Sequence, residues 1–244
     1  MYMKRLIKNN KGQAMTEFII IAFVLLLLTL GLAQLVFIYQ TKTNLNYATF
    51  EAIRAGTLEN ASPKAIKDGF ARGMAPSFVR VVDAPGKSAT TQISRNTALA
   101  TAYQYAYNEM KDYVRFQRIN PTTEMFFVGS GWGKPIPPWE ISQEKLQSIA
   151  SSYIPNEHLL YKPATQKKLS VTIQDANLLK IRVTYCMKLI VPFVNTIFQA
   201  AYKLGSSSTD AFNTQCTSDT KSKRFPIVAQ SIMRMQSQAR NYRF

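Results

Sequence analysis

Apolar and polar positions divide this 244-residue chain unevenly. From Phe18 to Tyr39 there is no charge, and only Thr29, Gly31 and Gln34 interrupt the apolar side chains. At about 1.5 Å per residue a helix over this run is about 33 Å long, enough to cross a bilayer core. The pattern then changes without a break. Between Thr41 and Asn60 there is no proline, and Leu45, Ala48, Ala52, Ile53 and Ala55 recur at helical spacing. One helix is therefore expected from about Gln13 to Leu58. Its first half would span a membrane and its second half would pack on a head, with Ala48, Ala52, Ala55 and Gly56 allowing a close approach.

Beyond that spine the elements shorten. Ser62-Pro63 reads as a helix start, and Lys64 to Ala75 as a short helix ending before Pro76. Phe78 to Val82 reads as a short strand and Asp83 to Lys87, with Pro85-Gly86, as a turn. Ser94 is expected to cap a helix running to about Tyr113, with Ala98, Ala102, Tyr105, Ala106 and Met110 on its buried face. Gly129 to Trp139 is a Gly/Pro-rich loop without phosphate-loop spacing, and Ser142 to Ser152 is a helix candidate. Leu169 to Gln174 and Leu178 to Ile190 alternate as strands, joined by a hairpin turn at Asp175-Ala176-Asn177. Pro192 to Lys203 reads as a helix stopped by Gly205, Ser206 to Lys223 as a polar flexible stretch, and Phe225 to Gln236 as a last strand. The fold class expected is α+β: a long N-terminal transmembrane helix packed on a head with a small antiparallel sheet.

Charge gives the long helix a direction. Lys4, Arg5, Lys8 and Lys11 precede the apolar run, which argues for a cytoplasmic N-terminus and an exported remainder. Glu17 stands where the run begins, and a carboxylate there is costly in hydrocarbon without a partner. A basic leader, Gly12, four residues, Glu17 and a hydrophobic helix together resemble the N-terminus of type IV prepilins. The resemblance implies cleavage after Gly12 by a prepilin peptidase, with Gln13 as the first mature residue. The new α-amino group and the Glu17 carboxylate then lie one helical turn apart. In a filament the carboxylate of one subunit can meet the amine of its neighbour, which neutralises both charges in an apolar bundle. Two other readings compete: a plain signal anchor, and a secretory signal cut after Gly31-Leu32-Ala33. The second leaves the apolar residues from Leu35 to Tyr39 unexplained.

The whole chain carries 30 Lys and Arg against 14 Asp and Glu. A head this basic can attract polyanions such as nucleic acid, lipopolysaccharide or teichoic acid. Its lysines and arginines are scattered, however, and a solvated surface is the favoured reading. Cys186 and Cys216 are the only cysteines. In an oxidising compartment they can close a loop of about 30 residues, worth roughly 3 to 4 kcal/mol by chain entropy; two separate buried thiols are the alternative. Enzymatic chemistry finds little support. His158, beside Glu157, is the only histidine, and two cysteines are too few for a structural zinc site. No Gly-x-Ser-x-Gly elbow occurs. No catalytic, metal-binding or cofactor-binding residue is assigned. Tyr103, Tyr105, Tyr107 and Tyr113 are spread around their helix, which favours packing over a base-stacking platform.

Several segments sharpen the resemblance. The apolar stretch followed by Asn46-Tyr47-Ala48 and by Glu51 to Gly56, together with Ile154 to Tyr161, Asp175 to Tyr185 and Pro226 to Ser237, is similar to TadE/TadG-like pseudopilins of tight-adherence (Flp/Tad) pili. The resemblance leaves the 80–150 region uncovered. It implies a minor pseudopilin with a leader at 1–12, a transmembrane and spine helix at 13–60 and a periplasmic head at 61–244. Its implied partners are the membrane, the prepilin peptidase, other Tad pilins and pseudopilins, and the inner-membrane assembly platform. Its implied role is in the initiating or tip complex, supporting adhesion. The runners-up are a minor pseudopilin of a type II secretion system and a membrane-anchored periplasmic binding protein unrelated to pili.

Overall fold

The computed structural model describes residues 11–82, 92–126, 153–154, 156, 173–205, 210–218 and 223–242. The expected turn at Asp83–Lys87, the Gly129–Trp139 loop, the Ser142–Ser152 helix and His158 lie outside these residues, apart from Ser152's neighbours Tyr153 and Ile154. Helix α1 (Lys11–Leu58) is continuous over 48 residues, about 72 Å. Its first half stands clear of the rest of the chain. Its second half is the edge of the head, with Leu45, Ala48, Ala52 and Ile53 fully buried.

The spine ends in a turn built from left-handed residues. Asn60 and Ala61 have φ of 55° and 59°, and the Ala61 amide donates to the Gly56 carbonyl at 2.8 Å. This is the pattern by which a helix end satisfies its last carbonyls. The C-terminal segment completes it. The amides of Gln236 and Ser237 donate to the Thr57 carbonyl at 3.1 and 3.0 Å, and Asn60 Nδ2 donates to the Gln238 carbonyl at 2.7 Å.

Helix α2 (Pro63–Val82) returns along the spine. Glycine sets how close the two helices lie. A Cβ on Gly73 would stand 2.5 Å from Ala48 Cα, and one on Gly69 would stand 2.8 Å from the Glu51 carbonyl oxygen. Small residues thus meet small residues, as expected of Ala48, Ala52, Ala55 and Gly56. The helix does not stop before Pro76, and Phe78–Val82 is its last turn rather than a strand. Proline removes one backbone donor and crowds the carbonyl four residues earlier, which here is that of Arg72. Pro76 and Arg72 are both exposed, so water can satisfy what the ring disrupts. Met74 and Ala75 are buried and Phe78 packs against the core, which favours continuing the helix.

Helix α3 (Gln92–Tyr113) packs on α2. It begins two residues before the expected cap at Ser94. Ala102, Ala106 and Met110 are buried as expected, whereas Tyr105 is exposed. The chain passes directly from Tyr113 into strand β1 (Val114–Asn120), which the residue pattern did not predict. A 3-10 turn (Thr123–Phe126) and the two-residue strand β2 (Tyr153–Ile154) follow.

Helix α4 (Ile173–Ala176) is a single turn leading into strand β3 (Leu178–Lys188). Residues 173–174 are therefore helical, and Asp175-Ala176-Asn177 is not the turn of a hairpin. Strand β3 instead pairs antiparallel with β1 on one side and with β4 (Arg224–Arg234) on the other. Leu179, Ile181, Val183 and Tyr185 form its buried row, as their alternation predicts. This row packs towards the helices, and Phe70 of α2 meets Phe116 of β1 edge to face, with ring centroids 5.1 Å apart.

Between β3 and β4 lie helices α5 (Val194–Gly205) and α6 (Ala211–Ser218). The first ends at Gly205 as expected. The second corrects the reading of Ser206–Lys223 as a flexible stretch. Asp210 explains it locally: its carboxylate accepts from the Phe212 amide at 3.3 Å, as a helix N-cap does. Strand β5 (Ala239–Arg240) pairs with β2. The whole is α+β, with one long apolar helix and small antiparallel sheets.

Candidate membrane and assembly surface

The apolar half of α1 is bare. Phe18 is 70% exposed, Leu25 60% and Leu35 49%, and Ile19, Ile20, Ile21, Phe23, Val24, Leu26, Leu28 and Leu32 are exposed as well. A continuous apolar surface of this size on a folded chain marks a contact with lipid or protein. By length and composition this helix can cross a membrane. Gly12 and Gln13 lie in its first turn, and Glu17 follows Gln13 by four residues, on the same face of the helix. Glu17 is exposed.

Gln34 is the exception in this half. It is fully buried, and its Oε1 accepts from the Val191 amide at 3.0 Å. Val191 lies between β3 and α5, so the head reaches back along α1 into the apolar run. Eight residues further on, Lys42 Nζ donates to the Val228 carbonyl of β4. These two contacts bracket the stretch where α1 passes from bare surface to buried spine. The sequence showed Gln34 only as an interruption; as the one amide in an uncharged run, it was the signal that something polar meets the helix there.

Cys186 of β3 and Cys216 of α6 form a disulfide, with Cα atoms 5.7 Å apart. The bridge ties the central strand to a helix rather than to a flexible loop. Beside it lies a polar cluster that sequence reasoning missed. Arg224, buried at the start of β4, donates to Glu109 Oε1 at 2.7 Å and to the Cys186 carbonyl at 2.8 Å. Its guanidinium also lies over the Tyr113 ring, 3.2 Å from the centroid. The Tyr185 phenol lies near Glu109 within the same cluster. Burial, reinforced by the Glu109 charge, holds the Tyr185 phenol well above its ordinary range, with Arg224 opposing. Pairing of this kind lets a head bury a charge without isolating it. Nothing in the sequence pattern joins Glu109, Tyr185 and Arg224, which come from three separate elements. Among the described residues no group of three or more His, Cys, Asp or Glu is placed to hold a metal ion.

The class of protein follows from this arrangement: one long helix, bare and apolar at its start and built into an α+β head at its end. The particular likeness is narrower. Residues 12–54 match the family model of TadE-like proteins, a match consistent with a TadE/TadG-like protein of Tad pili. The match begins at Gly12 and ends within the buried half of the spine. No curated protein and no solved structure matches the chain.

Proposed function

We propose that the chain is a minor pseudopilin of a tight-adherence pilus. On this reading residues 1–12 are a leader removed by a prepilin peptidase between Gly12 and Gln13. Residues 13–60 form the transmembrane and spine helix in the bacterial inner membrane. Residues 61–244 form a periplasmic head, which acts with other Tad pilins and the assembly platform in the initiating or tip complex and supports adhesion. The observation that carries the reading is the TadE-like segment, which coincides with a helix whose first half, Gln34 apart, is mostly bare of covering by the rest of the chain. A filament core or a bilayer would supply that covering. On this reading the α-amino group that cleavage creates at Gln13 of a neighbouring subunit neutralises the Glu17 carboxylate within that apolar covering.

Mass spectrometry of the N-terminus, on protein recovered from its native membrane with and without the peptidase, tests the class. A peptidase-dependent start at Gln13 is expected; an intact Met1, or a start at Gln34, rules the maturation out. Two substitutions separate cutting from assembly. Gly12→Asp should leave the longer precursor. Glu17→Ala should be cut normally yet assemble poorly, and normal assembly would show that the charge pair is not what orders the subunits.

A further inference from the structure

Helix α5 is apolar on two sides: Val194 is buried and Tyr202 packs edge to face on Phe225, yet a second apolar stripe faces outward. Ile197, Ala200, Ala201 and Leu204 lie on one side of the helix and are exposed, and Phe193, in the left-handed region (φ 62°) just before it, is exposed too. Phe193 is 76% exposed and Leu204 90%. The opposite side carries the polar contact: Gln199 is buried and its Nε2 donates to the Thr217 carbonyl at 2.7 Å. The helix thus turns an apolar stripe outward while Val194, Tyr202 and this amide face the head. Ile190, just before it, is also exposed.

The position of this stripe identifies what covers it. Helix α5 packs beside α1, and the segment leading into it is anchored by the Val191–Gln34 hydrogen bond. Gln34 lies five residues before the end of the apolar run, about 7.5 Å along the helix axis. The start of α5 is therefore level with bare apolar helix, not with the charged spine that begins at Lys42. Near the acyl boundary water is scarce, and the Val191 N–H has its partner within the chain, in Gln34. The charges agree. From Lys188 to Gly205 the chain has Lys188 and Lys203, both exposed, and no carboxylate. Lysines flanking an apolar face suit the anionic headgroups of a bilayer surface, with their stems along the acyl boundary.

We propose that Ile190–Gly205 is a second membrane contact, in which α5 lies in the bilayer interface with Phe193, Ile197 and Leu204 among the acyl chains. The proposal rests on the reading of α1 as a membrane-spanning helix. It gives the head a fixed tilt and height above the bilayer, because one rigid unit then holds the membrane at two places. Extraction of the subunit into a filament must peel this helix off the surface as well as withdraw α1.

Site-directed spin labelling of the full-length chain in vesicles of phosphatidylethanolamine and phosphatidylglycerol tests it, with the native disulfide kept oxidised. Labels are placed through Leu26→Cys in mid-run, Ile197→Cys and Leu204→Cys on the stripe, and Gln104→Cys on the exposed side of α3. Relaxation by oxygen, which partitions into lipid, is compared with relaxation by a water-soluble nickel chelate. The oxygen-to-nickel ratio is expected to be several-fold higher at 26, 197 and 204 than at 104. Ratios at 197 and 204 equal to that at 104, with 26 still in lipid, overturn the second contact and leave the spanning helix standing. A water-like ratio at 26 as well removes both. Protection at 197 and 204 that disappears on dilution into excess lipid assigns the stripe to a second copy of the chain and overturns the proposal.

Discussion

The two halves of α1 share a backbone and almost nothing else. From Phe18 to Tyr39 the side chains are larger and more apolar, yet most are exposed. From Leu45 to Thr57 they are smaller and more polar, yet Leu45, Ala48, Thr49, Ala52, Ile53 and Thr57 are buried. Hydrophobicity thus runs opposite to burial along one helix. In water the exposed half would be unfavourable by about 25 cal/mol for each Å² of apolar surface. The covering it lacks must come from outside the chain. The inner face of the second half is covered from within, because α2, β3 and β4 pack on it, while Tyr47, Phe50 and Leu58 stay exposed on its other side. Small residues are what make that packing close, since they let backbones approach.

The comparison can be broken at the head first. Phe70 is buried in α2 and meets both the spine-side core and Phe116. Phe70→Ala should cost about 3–5 kcal/mol, the usual range for an aromatic core truncation. Chemical unfolding of the detergent-solubilised chain, followed by near-ultraviolet circular dichroism, measures it. A loss below about 1 kcal/mol would mean that the head does not depend on this core.

Two glycines on opposite sides of the divide sharpen it further. Gly73→Ala brings a methyl to 2.5 Å from Ala48 Cα, a backbone atom that cannot step aside. Overpacking of this kind costs about 1–3 kcal/mol, against a gain of about 1 kcal/mol in helix propensity. Gly31→Ala meets nothing within 4 Å. It should leave the unfolding of the head unchanged. Equal effects from the two substitutions would mean that the halves are not packed differently.

Most of this division was legible in the residues. The uncharged run, the small-residue stripe and the alternation of β3 each follow a single period, and each appears where the period puts it. The elements that escaped are those whose pattern is mixed. In β1, Arg118 shares a side with Val114 and Phe116, and its guanidinium lies 5.1 Å from the Phe126 ring centroid, so a charge stands in an apolar row. A bulge between Arg118 and Asn120 then shifts the register. Pro76 suggested a stop because local rules cannot know that the ring faces solvent. Helix α6 is polar, and its support is a cap from Asp210 and a bridge from Cys216, neither of which has a period. The stripe on α5 was visible as a helix but not as an outward face, since only packing decides which side of a helix is covered. The proposed cleavage and charge-pair residues Gly12, Gln13 and Glu17 were legible for the opposite reason: they form a local pattern that needs no folded head.

The smallest effect expected separates the two halves by pH. Outside the apolar run, Tyr185 is a buried phenol of the head, raised above its ordinary value of 10.0 by burial first and by the Glu109 charge second. A raised folded value means that the neutral phenol is favoured in the folded state. Its contribution is complete below about pH 10 and is lost as pH climbs towards the folded value. The head should therefore weaken in strong alkali through this group, while the uncharged residues from Phe18 to Ile38 have nothing to titrate. Tyr185→Phe removes the ionisation along with the phenol's polar contact with Glu109, and Arg224 keeps Glu109 paired. At neutral pH the substitution should cost at most about 0.5–1.5 kcal/mol, the net worth of one buried polar contact. Above pH 10 the variant should lose stability less steeply than the parent, so that the two curves converge. Unfolding midpoints taken between pH 8 and pH 12 give both slopes. Parallel curves would assign the alkaline loss to other groups and leave Tyr185 as a packing residue only.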